Sequence, residues 1–250
     1  MQNTSNDSNY SILLAAGAPK EVRAIINNDT VHPYTQEQIV SATTRAAMLD
    51  NELAIGNCIA KELNLVLTNF AGFPTIPRMA KIIMEFRLND GTTQSNWYPK
   101  GTYYIDTRDE SYQGILTINA YDPMLKSEQS FTKEGNQGNW PRSDYSVVQT
   151  IATAMGVEID SRTTAILSKG YQINYPGIVL EDGVPQYSTD GAMSMRQVLG
   201  YIGAMYGGNW IITDENKLRL IVLGDIPTPT NYLITQNNDI ILIGGYRILV

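Results

Sequence analysis

The side chains that could do chemistry in this chain are mostly carboxylates. Asp106 with Asp109 and Glu110, Glu181 with Asp182, and Asp214 with Glu215 form the close acidic sets. Two carboxylates about 5 to 10 Å apart in a cleft can cleave a glycosidic bond, one acting as acid and the other as nucleophile or base. Each set also lies beside a turn, where Asp and Glu are ordinarily solvated, so the structural reading outweighs the catalytic one. His32 is the only histidine and Cys58 the only cysteine. An intrachain disulfide is therefore excluded, and so is a zinc site assembled from Cys and His. A Ser-His-Asp or Cys-His mechanism would have to use His32, which lies in NNDTVHPYT beside Pro33 and reads as a loop histidine. Cys58, in IGNCIAKEL, reads as a small buried apolar side chain rather than a nucleophile, since no basic cluster surrounds it. No dinucleotide-binding glycine fingerprint, phosphate loop, nucleophile elbow, paired-histidine zinc helix or calcium loop occurs. No catalytic, cofactor-binding or metal-ligating residue is assigned, and the chain is not expected to be an enzyme.

The elements around these residues read as scaffold. Residues 102–107 (TYYIDT) and 115–121 (ILTINAY) are rich in β-branched and aromatic side chains and are predicted to pair antiparallel across the polar RDESYQG. Asp122-Pro123 ends the second strand, because Pro123 has no N–H to offer a central ladder. Residues 80–88 (AKIIMEFRL) place Ile82, Met84, Phe86 and Leu88 on one face and Lys81, Glu85 and Arg87 on the other, the clearest half-buried strand in the chain. Asn89-Asp90-Gly91 turns it into a hairpin. Further strands are predicted over 21–26, 62–67 and, despite a capping-box pattern at Thr35–Gln38, over the β-branched stretch that follows.

Helices enter only later. With Asp144 as N-cap, the stripe Val147, Val148, Ile151, Ala152 and Met155 predicts a helix stopped by Gly156. Ser194 with Gln197 makes a capping box for a second helix, whose apolar face is Met195, Val198, Leu199, Ile202 and Met205. Gly200 and Gly203 inside it each cost about 1 kcal/mol relative to Ala, which points to close approach of a neighbouring strand. A hairpin over 209–213 and 217–223 follows, then strands flanking Asn237-Asn238-Asp239 and an apolar ending, GGYRILV. That ending reads as the front part of a longer protein.

Composition narrows the function class. The 250 residues carry a formal charge of -7, with 10 basic and 14 acidic side chains in 1–130 and 8 and 11 in the remainder. No basic stripe offers a grip to nucleic acid. The run 11–18 (SILLAAGA) lacks the preceding positive charge of a signal peptide, and 240–250 is too short to span a bilayer, so a soluble protein made in the cytoplasm is expected. Tyrosine is over-used, 15 against 4 Phe. Tyr103, Tyr104, Tyr201 and Tyr206 suit either an interface or ordinary packing.

The succession IGNCIAKELNLVL, WYPKGTYYID, ILTINAYDPMLK, DYSVVQTIATAMGV and SMRQVLGYIGAMYGGNWIITDENKLRLIVL resembles the tail hub proteins of phages and prophages, in the superfamily of the spike-hub proteins of contractile injection systems. The resemblance runs from Thr35 to the end of the chain. It implies a mainly β, α+β fold: an antiparallel β-barrel-like domain over 21–128, a small α/β domain over 129–223, and the start of a second β-barrel over 224–250, while the polar opening MQNTSNDSNY reads as part of a flexible stretch over 1–20. It also implies a homotrimeric ring at the virion tail tip, with the distal tail ring, tail tube and tape measure as partners; the charge distribution and short apolar runs already speak against nucleic acid and stable membrane insertion. Two other readings compete with a structural hub. One is a tail-associated cell-wall or polysaccharide hydrolase using the carboxylates above; the other is a carbohydrate-binding module using Trp97, Trp140 or Trp210.

Overall fold

A computed structural model of the chain describes residues 4, 6–46, 55–68, 76–112, 114–131, 140–174, 178–181, 184–187, 193–222, 242–243 and 246–247. In chain order it begins with helix α1 (Ser8–Ala15) and strands β1 (Lys20–Ile26) and β2 (Ile39–Ala46). A two-residue strand β3 (Cys58–Ile59) precedes β4 (Lys61–Thr68), β5 (Lys81–Leu88), β6 (Tyr98–Tyr112) and β7 (Ile115–Tyr121). Six of these strands form one curled antiparallel sheet, in the order β1-β5-β6-β7-β4-β2. Period-two patterning determines which face is buried. Ile82, Met84 and Phe86 of β5, Leu63, Leu65 and Leu67 of β4, and Leu116, Ile118 and Ala120 of β7 point into the core. On the outer face the polar partners face one another across strands, with Arg23–Glu85 at 2.7 Å, Arg87–Glu21 at 2.6 Å and the Asn64–Asn119 amides at 2.7 Å.

The polar start of the chain, expected to be flexible over its whole first twenty residues, instead carries α1. Asp7 explains the difference. One oxygen accepts the backbone N–H groups of Asn9 and Tyr10, both at 3.1 Å, as a helix N-cap. The other accepts Asn96 N–H at 2.7 Å and the Tyr98 hydroxyl at 2.9 Å, and Leu13 is buried beneath. The Asn96 N–H, foremost among these donors, holds the Asp7 carboxyl below its ordinary pKa.

Asp122 caps a 3₁₀ turn (Pro123–Glu128) where β7 ends, with Pro123 at the first helical position. Beyond it come β8 (Arg142–Ser143), α2 (Asp144–Met155), β9 (Glu158–Ile159), α3 (Ser161–Leu167), β10 (Gln172–Ile173), β11 (Ile178–Glu181) and β12 (Val184–Tyr187). Then follow α4 (Met195–Met205), β13 (Gly208–Ile212) and β14 (Lys217–Val222), with a last small pair of β15 (Leu242–Ile243) and β16 (Tyr246–Arg247). The rest of the stretch expected to open a second barrel lies outside the described residues, as do most of the connector before Trp140 and the Asn237-Asn238-Asp239 turn. The N-cap of α2 is Ser143 rather than Asp144: its hydroxyl accepts Ser146 N–H at 3.3 Å, and Asp144 becomes the first helical residue. Gly156 closes α2 in the left-handed conformation, at φ +73°. The capping box at Ser194 and Gln197 is formed in both directions.

The second unit is built on a four-stranded sheet, β3-β13-β14-β9, mixed in direction: β13 and β14 pair antiparallel, while β3 and β9 run parallel to their neighbours. Helices α2 and α4 cover it, burying Val148, Ile151, Met155, Leu199 and Ile202 around a fully buried Trp210. The Trp210 indole N–H donates to the Leu199 carbonyl at 2.6 Å, so the largest core side chain leaves no polar atom unpaired. The fold is α+β and mainly β.

Candidate functional site

The acidic sets do not come together as a catalytic pair. Asp106 is drawn to Arg78 at 3.6 Å, and Asp109 and Glu110 follow one another on exposed β6, where adjacent side chains leave opposite faces. The Glu181–Asp182 set lies outside the described side chains. Asp214 is held between Lys61 at 2.6 Å and Lys100 at 3.5 Å, while Glu215 stays exposed. His32 sits in an exposed loop 3.3 Å from Asp29. Cys58 is buried, and burial pushes its thiol up to about 12, which removes the thiolate a nucleophile or metal ligand needs. Its Sγ–H donates to the Arg196 carbonyl at 3.4 Å.

The aromatic candidates separate by environment. Tyr103 is fully buried in the sheet core, and the buried Tyr206 hydroxyl donates to Asp144. Lys126 lies 3.8 Å over the Tyr104 ring, whereas Tyr201 is 61% exposed on α4. Trp97 carries the guanidinium groups of Arg23 and Arg87 at 4.2 and 4.6 Å, Trp140 meets Phe131 edge-on, and Trp210 is buried. No tryptophan offers an open stacking face of the kind a sugar-binding platform requires.

What the structure does bring together is a polar joint between the two units. Asp122, 2% exposed, accepts the Lys61 N–H and the Met124 N–H at 3.0 Å each, and its own N–H donates to the Lys61 carbonyl at 3.0 Å. The Lys61 ammonium turns away to Asp214 in the β13–β14 turn. Burial dominates at Asp122 and raises its carboxyl to about 6, even though both accepted N–H groups pull the other way. A few residues earlier, Asn57 crosses to the second unit: its N–H donates to the Asn209 side chain at 2.8 Å, and its carbonyl accepts Trp210 N–H at 2.7 Å. At Gly56 and Gly200 the two backbones approach so closely that a Cβ on Gly56 would stand 2.6 Å from the Gly200 carbonyl, and one on Gly200 2.7 Å from that of Gly56. The anticipated reason for glycine inside α4 is therefore met, although the neighbour at Gly200 is the crossing segment. Gly203 faces the Gly208 carbonyl and the Trp210 ring.

The most open part of the six-stranded sheet is β2. From Val40 to Ala46 every side chain is exposed on both faces, and among the described residues β2 pairs with β4 alone, along one edge. Thr68 N–H donates to the Gln38 carbonyl and Asp122 N–H to that of Lys61, which sets the alternation along β4. By that alternation Ser41, Thr43 and Arg45 bond β4, and Ala42, Thr44 and Ala46 direct their N–H and C=O groups outward. The opposite edge is partly filled, since Tyr34 exchanges both backbone bonds with Ala24 of β1.

Over 89% of its length the chain superposes on the 43 kDa tail protein of prophage MuSo2 from Shewanella oneidensis, with TM-score 0.51 and 12% sequence identity. The chain has the fold of a prophage tail protein. It spans 61% of that protein's length. The PdpA-VgrG complex of Francisella aligns with TM-score 0.47 and 9% identity, over 81% of this chain and 31% of that one. No protein-family model matches the chain, and no curated protein matches it in sequence. Among the described residues, no helix is long and apolar enough to cross a membrane.

Sequence reasoning missed the joint. Asp122 was legible as a strand breaker, but its partner lies 61 residues away, and no local pattern marks Lys61 or Asn57 as crossing points.

Proposed function

We propose that the chain is a structural tail-tip hub protein of a phage or phage-like particle, assembling as a homotrimeric ring that joins the tail tube to the tip. The fold shared with a prophage tail protein supports a tail-associated role. The observation that carries the ring is β2, an eight-residue strand whose outer edge has no partner strand among the described residues and whose side chains from Val40 onward are exposed. Such an edge is a template for another strand, and folds that stay monomeric usually cover or charge it. Here the outward residues Ala42, Thr44 and Ala46 are small and uncharged, so a neighbouring backbone can approach. A head-to-tail contact at this edge closes a ring when the rotation between copies is 120°, and the same chain then supplies every interface. The distal tail ring, tail tube and tape measure are the partners of such a ring, and the virion tail tip is its location. Electron microscopy of particles made without this gene tests the role: tails lacking an ordered tip are expected, and normal tails would end the proposal.

A further inference from the structure

A groove of about 800 Å³ runs between α2, β9 and the β13–β14 turn. Tyr145 lines it and is 38% exposed. Gln149 and Thr153 continue from Tyr145 along one face of α2, linked by side-chain hydrogen bonds of 3.4 Å, long enough to be exchanged for a ligand's. Across the groove Glu158 is 82% exposed and only loosely paired with Lys217, at 3.9 Å. Asn216, in the turn, has a buried Oδ1 with no hydrogen-bond partner among the described residues.

We propose that this groove is a binding site for a neutral oligosaccharide, with the Tyr145 ring against a pyranose face and Gln149 and Glu158 taking its hydroxyls. Three features select this ligand class. An exposed tyrosine ring beside an amide, a hydroxyl and a carboxylate matches the half-apolar, half-hydroxylated surface of a sugar. Two carboxylates, Glu158 and Glu215, against the single ammonium of Lys217 disfavour phosphates and other anions. The lining has too few large apolar side chains to hold a helix or a hydrophobic peptide. The site would give the tail protein a contact with a glycan surface without any bond being broken, and it stands independently of ring assembly.

The test is titration of the full chain with chitohexaose and, separately, maltohexaose, followed by calorimetry and by amide shifts in nuclear magnetic resonance. Binding by either sugar, with shifts centred on Tyr145, Gln149 and Glu158, is expected; the sugar that binds tells whether N-acetyl groups are read. Tyr145→Ala is expected to weaken binding about tenfold or more, and Glu158→Gln, at a largely solvated position, by a smaller factor without touching the fold. Absence of binding by both sugars up to about 10 mM would overturn the proposal. So would shifts lying elsewhere, or affinity indifferent to both substitutions.

Discussion

The six-stranded sheet and the α/β unit keep their cores dry by different means. In the sheet, alternation alone suffices: each of β4, β5 and β7 sends every second side chain inward. The α/β unit depends on pieces from distant parts of the chain. Its edge strand β3 arrives from before β4, and Gly56, Asn57 and Cys58 pack on α4 and β13. A core made by alternation tolerates local change, whereas one completed by a strap fails when the strap is removed. The two units are thus one folding problem although they contain two cores.

The largest expected effect follows from that dependence. A fragment comprising 129–222 lacks β3 and leaves the Trp210 edge of β13 open, so it is expected to lack a cooperative thermal transition; adding a peptide of residues 55–60 should restore one. A fragment that melts cooperatively without the peptide would erase the distinction between the two cores. Gly56→Val comes next. Its Cβ would collide with the Gly200 carbonyl and its backbone is held at φ +85°, so a loss of about 3 kcal/mol is expected in urea denaturation.

Asp122 sharpens the comparison through pH. Its folded carboxyl titrates at about 6, above the ordinary 3.8, so the native state holds the proton more tightly than the unfolded chain. The stabilisation this gives is fully present below pH 3.8 and is lost as pH rises through about 6. Asp122→Asn should therefore change the pH dependence between 4 and 6.5 by about 2 to 3 kcal/mol, and the stability gap between the two proteins should be flat above pH 7. A gap that does not vary with pH would mean that Asp122 is not titrating at the joint. The smallest effect is at Lys100, half-exposed and 3.5 Å from Asp214, where Lys100→Ala is expected to cost under about 1 kcal/mol and to lose even that in high salt.

These same contrasts explain what could be read from the residues. Ile82 to Leu88 and Leu63 to Leu67 announce their strands because the period of two is local. The capping box at Ser194 and the pair Gly200 and Gly203 announce a helix and a close approach for the same reason. Cys58-Ile59 is too short to carry a period, and its strand exists only because β13 is there to pair with it. Helix α3 hides in a run with two threonines, and becomes visible through Asp160, which caps Arg162 N–H at 3.0 Å while holding Arg219 at 2.8 Å. Helix α1 was hidden by its polar lead-in, since the anchor of Asp7 is Asn96, 89 residues on. The carboxylates lost their catalytic interest in the same way, Asp214 to Lys61 and Lys100, and Asp106 to Arg78. None of those lysines or arginines is near in sequence.

The ring is tested most directly by light scattering on the full chain over a range of concentrations, beside Thr44→Pro. Thr44 sends its N–H outward from β2, so proline there removes an edge donor while leaving the bonds to β4 in place. A mass three times the 27.7 kDa chain, falling to a single chain in the proline variant with its circular dichroism unchanged, is the predicted result. A single-chain mass at every concentration, or a trimer indifferent to Thr44→Pro, would contradict a ring closed at the β2 edge.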